Sequence, residues 1–222
     1  MSMPKYKHIM AFEAPILKFS LPQKTIDAFN KFVDGVEAKG IAGALDYSDH
    51  LAGKVSQEIV MPESLLKMHS QVFFSAMNDY VQVFYKNADV REGNAEAKRF
   101  YNEDNERLQF TIKSGWFVRS FAGDYNPVHH HPGCDLSAAG FLKLPEWDDE
   151  VEEDEEDHIG LTNGCLQFIN GINQTFSNNT HTIKPKVGDF YLFPSWLPHC
   201  VYPFKSSGER RSFSMNYLIY KS

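Results

Sequence analysis

From Arg107 to the C-terminus the sequence breaks into short apolar runs separated by turn residues. This rhythm, more than any other feature, restricts the fold. The runs are "LQFTIKSGWFVRSF", "LSAAGFLKLP", "GCLQFI", "THTIKP", "DFYLFP", "HCVYPF" and "RSFSMNYLIY". Between them stand Asn163-Gly164, Asn170-Gly171, Gly188-Asp189 and Ser207-Gly208, pairs suited to tight turns. Regularly spaced short strands with such turns predict an all-β sandwich or barrel. No alternation of strand and helix typical of a parallel sheet appears, and there is no G-x-G-x-x-G, no P-loop and no internal repeat.

The first third reads as helical decoration on that core. "LPQKTIDAFNKFVDGVEAKG" (21–40) has apolar residues near helical spacing and ends in a glycine stop. "MPESLLKMHSQVFFSAMNDYVQVFYKNA" (61–88) opens with Pro62, a good first-turn residue. It repeats apolar side chains at Leu66, Phe73, Met77, Tyr80 and Phe84. That is one face of a long amphipathic helix whose task is to cover a sheet.

At 222 residues the chain is long enough for one sizeable core. Net charge is −7, and about a third of the acidic groups lie in "EWDDEVEEDEED" (146–157), an inserted loop between two strands. That balance argues against nucleic acid as a partner, because phosphate binding draws on clustered Lys and Arg. Cys134, Cys165 and Cys200 are odd in number and form no CxxC, so neither a disulfide framework nor a zinc ribbon is indicated. With no long apolar stretch and no signal-like N-terminus, the expectation is a cytoplasmic protein that does not enter the membrane.

Chemistry concentrates in three segments. In "NPVHHHPGCD" (126–135) an extended backbone turns His129 and His131 to one side and His130 to the other. His-x-His is then a sensible pair of metal ligands, though an ordinary half-buried pair has the same sequence. In "KPKVGDFYLFPSWLPHCVYPF", a hairpin turn at Gly188-Asp189 leads into the buried strand "FYLF". A break at Pro194 follows, and His199 opens the next strand. A third histidine delivered from the far end of the sheet can close a facial set of three. Such a set leaves coordination positions open, as a catalytic metal requires.

The third segment is "GERRSFSMN" (208–216). Alternation puts Arg210, Ser212, Ser214 and Asn216 on one face and Arg211, Phe213, Met215 and Tyr217 on the other. The polar face makes sense lining a pocket, where the fork of Arg210 can grip a carboxylate. The alternative is that Arg210 pairs with an acidic side chain at a sheet edge.

Together these segments resemble the 2-oxoglutarate/Fe(II)-dependent oxygenases. They come closest to a family reading roughly "NPxHxHPxSxLSGxYYLxxP", "kPkxGdLxxFPSxLxHxVxPf" and "GxRxSxSxN". The resemblance covers about residues 107 to 218. It implies a double-stranded β-helix (jelly-roll) core, residues 107–222, supported by a largely helical segment, 1–106, in a single domain.

It further implies Fe(II) held by His129, His131 and His199. Arg210 would hold the distal carboxylate of the cosubstrate 2-oxoglutarate, aided by Ser212. O2 and a small-molecule or peptidyl substrate would be consumed, with release of succinate and CO2. In the wider superfamily an Asp or Glu stands where this chain has His131, which makes Asp135 a reserve ligand.

The segments also resemble a cupin that does not use 2-oxoglutarate. In that pattern Gly123, His129, His131, Asp135, Gly188, Pro194 and His199 match in spacing, while Trp196 replaces a glycine and Gly140 comes two residues early. A cupin would recruit Asp135 as a fourth ligand. Asp135 away from the metal and Arg210 beside it would mark the oxygenase. Trp116, Tyr125, Phe141 and Trp196 are candidates to border the pocket.

Overall fold

In the computed structural model, residues 7–9, 15–40, 45–47, 53–86, 108–147, 163–171 and 179–221 are described. Among these residues eleven strands and two helices follow in the order β1 (Lys7–Ile9), β2 (Ile16–Ser20), α1 (Gln23–Ala38), β3 (Gln57–Val60), α2 (Glu63–Lys86), β4 (Leu108–Ser120), β5 (Asn126–His129), β6 (Leu136–Lys143), β7 (Leu166–Ile169), β8 (Thr180–Ile183), β9 (Asp189–Pro194), β10 (His199–Val201) and β11 (Arg210–Lys221). Antiparallel pairing gathers them into a seven-stranded sheet, β1-β2-β9-β6-β11-β4-β3, and a four-stranded sheet, β5-β10-β7-β8.

Both helices form where apolar periodicity places them. In α1 the buried face is Ile26, Phe29, Val33 and Val36, spaced by three and four residues. In α2 it includes Phe73, Ala76, Met77, Tyr80 and Val81. These side chains pack on one face of the large sheet, against Phe117, Phe190, Leu192, Phe213, Met215 and Tyr217. Phe29 is the hub, meeting Phe117 and Phe213 edge-on with centroids 5.3 Å away in each case. Fully burying one such ring is worth about 1.5–3 kcal/mol.

The opposite face of the large sheet meets the small one. Phe141, Tyr191 and Phe193 from β6 and β9 pack there with Leu166, Phe168 and Ile183. Every residue of β9 is buried, because the strand is central and covered on both faces. This explains why "FYLF" reads as a continuous apolar run. The result is the jelly-roll core expected from the sequence, with the helices on its outer face.

Two local expectations differ. The N-terminal third is not helical alone, since β1, β2 and β3 extend the large sheet at both ends. Three to five residues carry too little pattern to separate a strand from a loop. The turn at Gly188, where φ is +88°, does not close a hairpin. Strand β8 pairs with β7, whereas β9 pairs with β2 and β6, so this turn carries the chain from one sheet to the other. The acidic run 146–157 lies outside the described residues except for Glu146 and Trp147. Among the described residues no helix is long and apolar enough to cross a membrane.

Candidate metal centre

The small sheet brings two of the predicted histidines face to face. His129 on β5 and His199 on β10 are direct register partners, and their ring centroids are 4.3 Å apart. His199 therefore arrives on the neighbouring strand rather than from the far end of a sheet. His131 lies just beyond β5, where its amide donates to the Ser195 carbonyl (2.9 Å), which ties the end of the H-x-H run to the loop before β10. Alternation survives past the strand end, since His129 and His131 turn inward and His130 is exposed. One nitrogen from each of His129, His131 and His199 falls within 4.8 Å of the others.

Backbone carbonyls fix the tautomers. Nδ1–H of His129 donates to the Pro127 carbonyl (2.7 Å), and Nδ1–H of His199 donates to the Leu197 carbonyl (2.9 Å). A proton held on Nδ1 leaves Nε2 as a lone pair, the form in which imidazole ligates. Nε2 of His131 and Nε2 of His199 face each other at 3.3 Å. With nitrogen–metal bonds of about 2.1 Å, as in zinc sites, two ligands on one ion stand about 3.0–3.4 Å apart. The donor set thus fits a transition metal.

Burial disfavours the charged form of all three rings. It lowers the pKa of His131 to about 4, helped by the nearby His129 and His130. It drives His199 well below the usual range, and it lowers His129 against the opposing bond from Pro127.

These rings open onto a cavity of about 550 Å³, including its mouth, between the two sheets. Strand β11 supplies Arg210, Ser212 and Ser214 to its wall, as alternation predicts. Arg210 is 3% exposed, and its Nε has no hydrogen-bond partner. No carboxylate among the described residues pairs with it. Its guanidinium lies 5.2 Å from the centroid of the Phe141 ring, and burial lowers its pKa to about 10. The edge pairing considered for Arg210 belongs to its neighbour: Arg211 turns to the helical face and bonds Glu209, Asp34 and Asn30. A buried cation left unpaired is costly, so Arg210 is poised for an anion from outside.

Asp135 is not brought to the histidines. Its carboxylate accepts from the Ile219 amide at 2.8 Å, and its own amide donates to the Tyr217 carbonyl. The turn at Pro132-Gly133 carries it to the backbone of β11, and the fourth ligand of the cupin pattern does not join this cluster.

Among the aromatics, Tyr125 and Phe141 line the cavity, and Trp116 is buried 5.8 Å from the His131 ring. Trp196 is exposed and takes no part in the lining. Val55, Ser120 and Asn126 line the cavity without having been singled out in the sequence. Only Asn126 carried a signal, its place in the Asn-Pro pair ahead of the histidines.

Residues 114–216 match a family model described as "Putative 2OG-Fe(II) oxygenase". This segment belongs to the 2OG-Fe(II) oxygenases. It takes in all three histidines, Arg210 and Ser212. No curated protein matches this chain in sequence.

Solved structures share its fold. A prolyl-4-hydroxylase from Pseudomonas putida is 15% identical, with a TM-score of 0.55 and 91% of each chain covered. A prolyl hydroxylase from Trichoplax adhaerens, in complex with a hypoxia inducible factor oxygen degradation domain peptide fragment, is 13% identical. Its TM-score is 0.53, with 91% of this chain and 83% of that chain covered. A non-heme alpha ketoglutarate dependent carbocyclase from nogalamycin biosynthesis is 10% identical, with a TM-score of 0.55 and coverage of 91% and 78%.

Proposed function

We propose that the protein is an Fe(II)/2-oxoglutarate-dependent dioxygenase in which His129, His131 and His199 hold the iron and Arg210, with Ser212, holds the distal carboxylate of 2-oxoglutarate. The observation that carries this reading is the convergence, in one cavity, of three imidazoles and a buried arginine that has no acidic partner among the described residues. When bound, iron with 2-oxoglutarate and O2 supplies oxidative decarboxylation to succinate and CO2 and the oxidising equivalent that hydroxylates a substrate C–H bond.

The chain's own part is positional. Carbonyls of Pro127 and Leu197 keep the ligating nitrogens of His129 and His199 free of protons. Arg210 offers a charge that burial strengthens and water does not screen, which favours a dianionic cosubstrate over a monoanion. Ser212, 9% exposed on the same face, offers a hydroxyl to that carboxylate. The apolar wall of Phe141, Leu166 and Phe193 limits water around the reacting groups.

The cavity opens to solvent, so a small metabolite or a peptidyl side chain can enter. The peptide complex of the Trichoplax neighbour shows that a related fold accommodates the latter. The test is anaerobic metal analysis followed by assay of Fe(II)-dependent succinate formation from 2-oxoglutarate without added substrate. Turnover that requires both iron and the arginine supports the reading. A protein that takes up iron but never yields succinate overturns it.

A further inference from the structure

We infer that Glu58 is the anchor for a cationic group, an ammonium or guanidinium, of the prime substrate. This rests on the oxygenase reading above and assigns its substrate class.

Register places Glu58 one strand beyond the cavity wall, in line with two of the residues that form it. On β3 it pairs with Val118 of β4, which pairs in turn with Ser212 of β11. Residues directly opposite one another in an antiparallel sheet point to the same face, about 5 Å apart at Cβ. Val118 and Ser212 both line the cavity. Glu58 is therefore the third member of that row, at the end where β3 forms the edge of the large sheet.

Its chemistry is unsatisfied. Glu58 is 1% exposed, and neither carboxylate oxygen has a hydrogen-bond partner among the described residues. Other buried acids here are well supplied. Glu209 receives Arg119, Arg211 and Lys143. Asp189 receives Lys18, the Tyr191 hydroxyl and the Lys186 amide. Asp124 receives both the amide and the hydroxyl of Ser56. Among these carboxylates Glu58 is the exception, as Arg210 is among the buried arginines. Yet Glu58 and Arg210 do not pair with each other, although both stand on the same sheet face.

A buried carboxylate accepts hydrogen bonds and donates none, and leaving it unpaired costs stability that a leucine or glutamine at the same place would not. Burial, with Asp46 nearby, holds its pKa up at about 7. Once the group is ionised its partner must be a donor, and a cation gains most from a site already drained of water. The surroundings agree. In the adjacent row of β3 and β4, Val60 pairs with Trp116, whose indole stacks on Tyr47 with centroids 5.2 Å apart. An aromatic surface beside a carboxylate is a favourable setting for an ammonium or guanidinium.

One substitution and four probes test this. Thermal unfolding of the full-length protein at pH 8 would be followed with n-butylammonium, n-butylguanidinium, butyramide or n-butanol, for wild type and Glu58→Gln. The expected result is that one or both cations raise the wild-type Tm while the neutral probes do not. The shift should vanish in Glu58→Gln, and unliganded Glu58→Gln should melt above unliganded wild type. The inference is overturned if no cation acts on the wild type, if the neutral probes act equally, or if the shift survives in Glu58→Gln. It is also overturned if the variant melts lower or does not fold, since the carboxylate would then have a structural task. Succinate formation by wild-type protein with Fe(II) checks the underlying reading separately: its absence removes the oxygenase assignment whatever the cation data show.

Discussion

His129 and His199 stand directly opposite each other across β5 and β10, with ring centroids 4.3 Å apart, so sheet pairing itself assembles two thirds of the proposed metal-binding set. The third member, His131, is held by the loop that leads into β10. Replacing any one of the three by alanine should lower iron affinity at least about 10- to 100-fold, the loss seen when even an outer partner of a ligand is removed. His130→Ala should bind iron as the wild type does, because that ring is exposed and faces away. Metal content after anaerobic reconstitution measures both. Equal losses at 130 and 131 would contradict the assignment.

The role proposed for Arg210 separates cosubstrate binding from metal binding. Its guanidinium is buried with no acidic partner among the described residues, so its removal leaves none of their carboxylates unpaired. Arg210→Ala should leave iron binding intact and weaken 2-oxoglutarate binding about 10- to 100-fold, the worth of a charge-assisted hydrogen bond or a bidentate pair. Titrating the absorption band of the Fe(II)–keto-acid complex reads this directly. Unchanged affinity would take Arg210 out of the role.

Much of this arrangement is legible in the sequence, for a physical reason. Period-two alternation in "RRSFSM" says which of two adjacent arginines faces the cavity. The structure agrees, with Arg210 on the cavity wall and Arg211 bonded to Asp34 of α1. The spacing of Ile26, Phe29, Val33 and Val36 likewise reports a helix face.

What stays hidden depends on long-range pairing. Four residues, "QEIV", do not announce an edge strand, so Glu58 gives no sign of sharing a row with Ser212. The turn at Gly188 looks the same whether it joins strands of one sheet or of two. The direction of Asp135 is decided by the Ile219 amide, 84 residues away.

Asp135 accordingly distinguishes a structural carboxylate from a ligand. Asp135→Asn keeps the shape but weakens a charge-assisted bond to the β11 backbone, which should cost about 1–3 kcal/mol of stability. Iron content should not change. Denaturant unfolding and metal analysis of the same preparation give both answers, and loss of iron without loss of stability would restore Asp135 as a ligand.

Gly140 is required by its neighbour across the sheet. A Cβ placed there would lie 2.3 Å from the ring of Phe213, which is fully buried between the two helices and the sheet. The ring cannot swing away without disturbing Phe29 and Phe190, both of which pack on it. Gly140→Ala should therefore destabilise the protein by about 1–3 kcal/mol or more, as overpacking of a filled core does. Thermal or denaturant unfolding checks this. A pairing of Gly140→Ala with Phe213→Leu should recover part of the loss.

Glu58 gives the fold a pH dependence of known sign. In the folded protein burial raises its pKa to about 7, from 4.5 in the unfolded chain. Between these values the unfolded chain has already released the proton while the folded one still holds it. The folded state binds more protons there, so this residue's contribution to stability falls as pH rises. Below about pH 4 both states are protonated and Glu58 costs nothing as an ion. Above about pH 7 the full difference applies, about 3 kcal/mol at 1.36 kcal/mol per pKa unit. Glutamine cannot ionise, so Glu58→Gln should match the wild type near pH 4 and exceed it by an amount that grows through pH 4.5–7 and then levels off. Urea unfolding of the two proteins at matched pH values traces this curve. A constant gap would mean that the carboxylate is solvated in the folded state, and a gap that shrinks as pH rises would mean that it is paired.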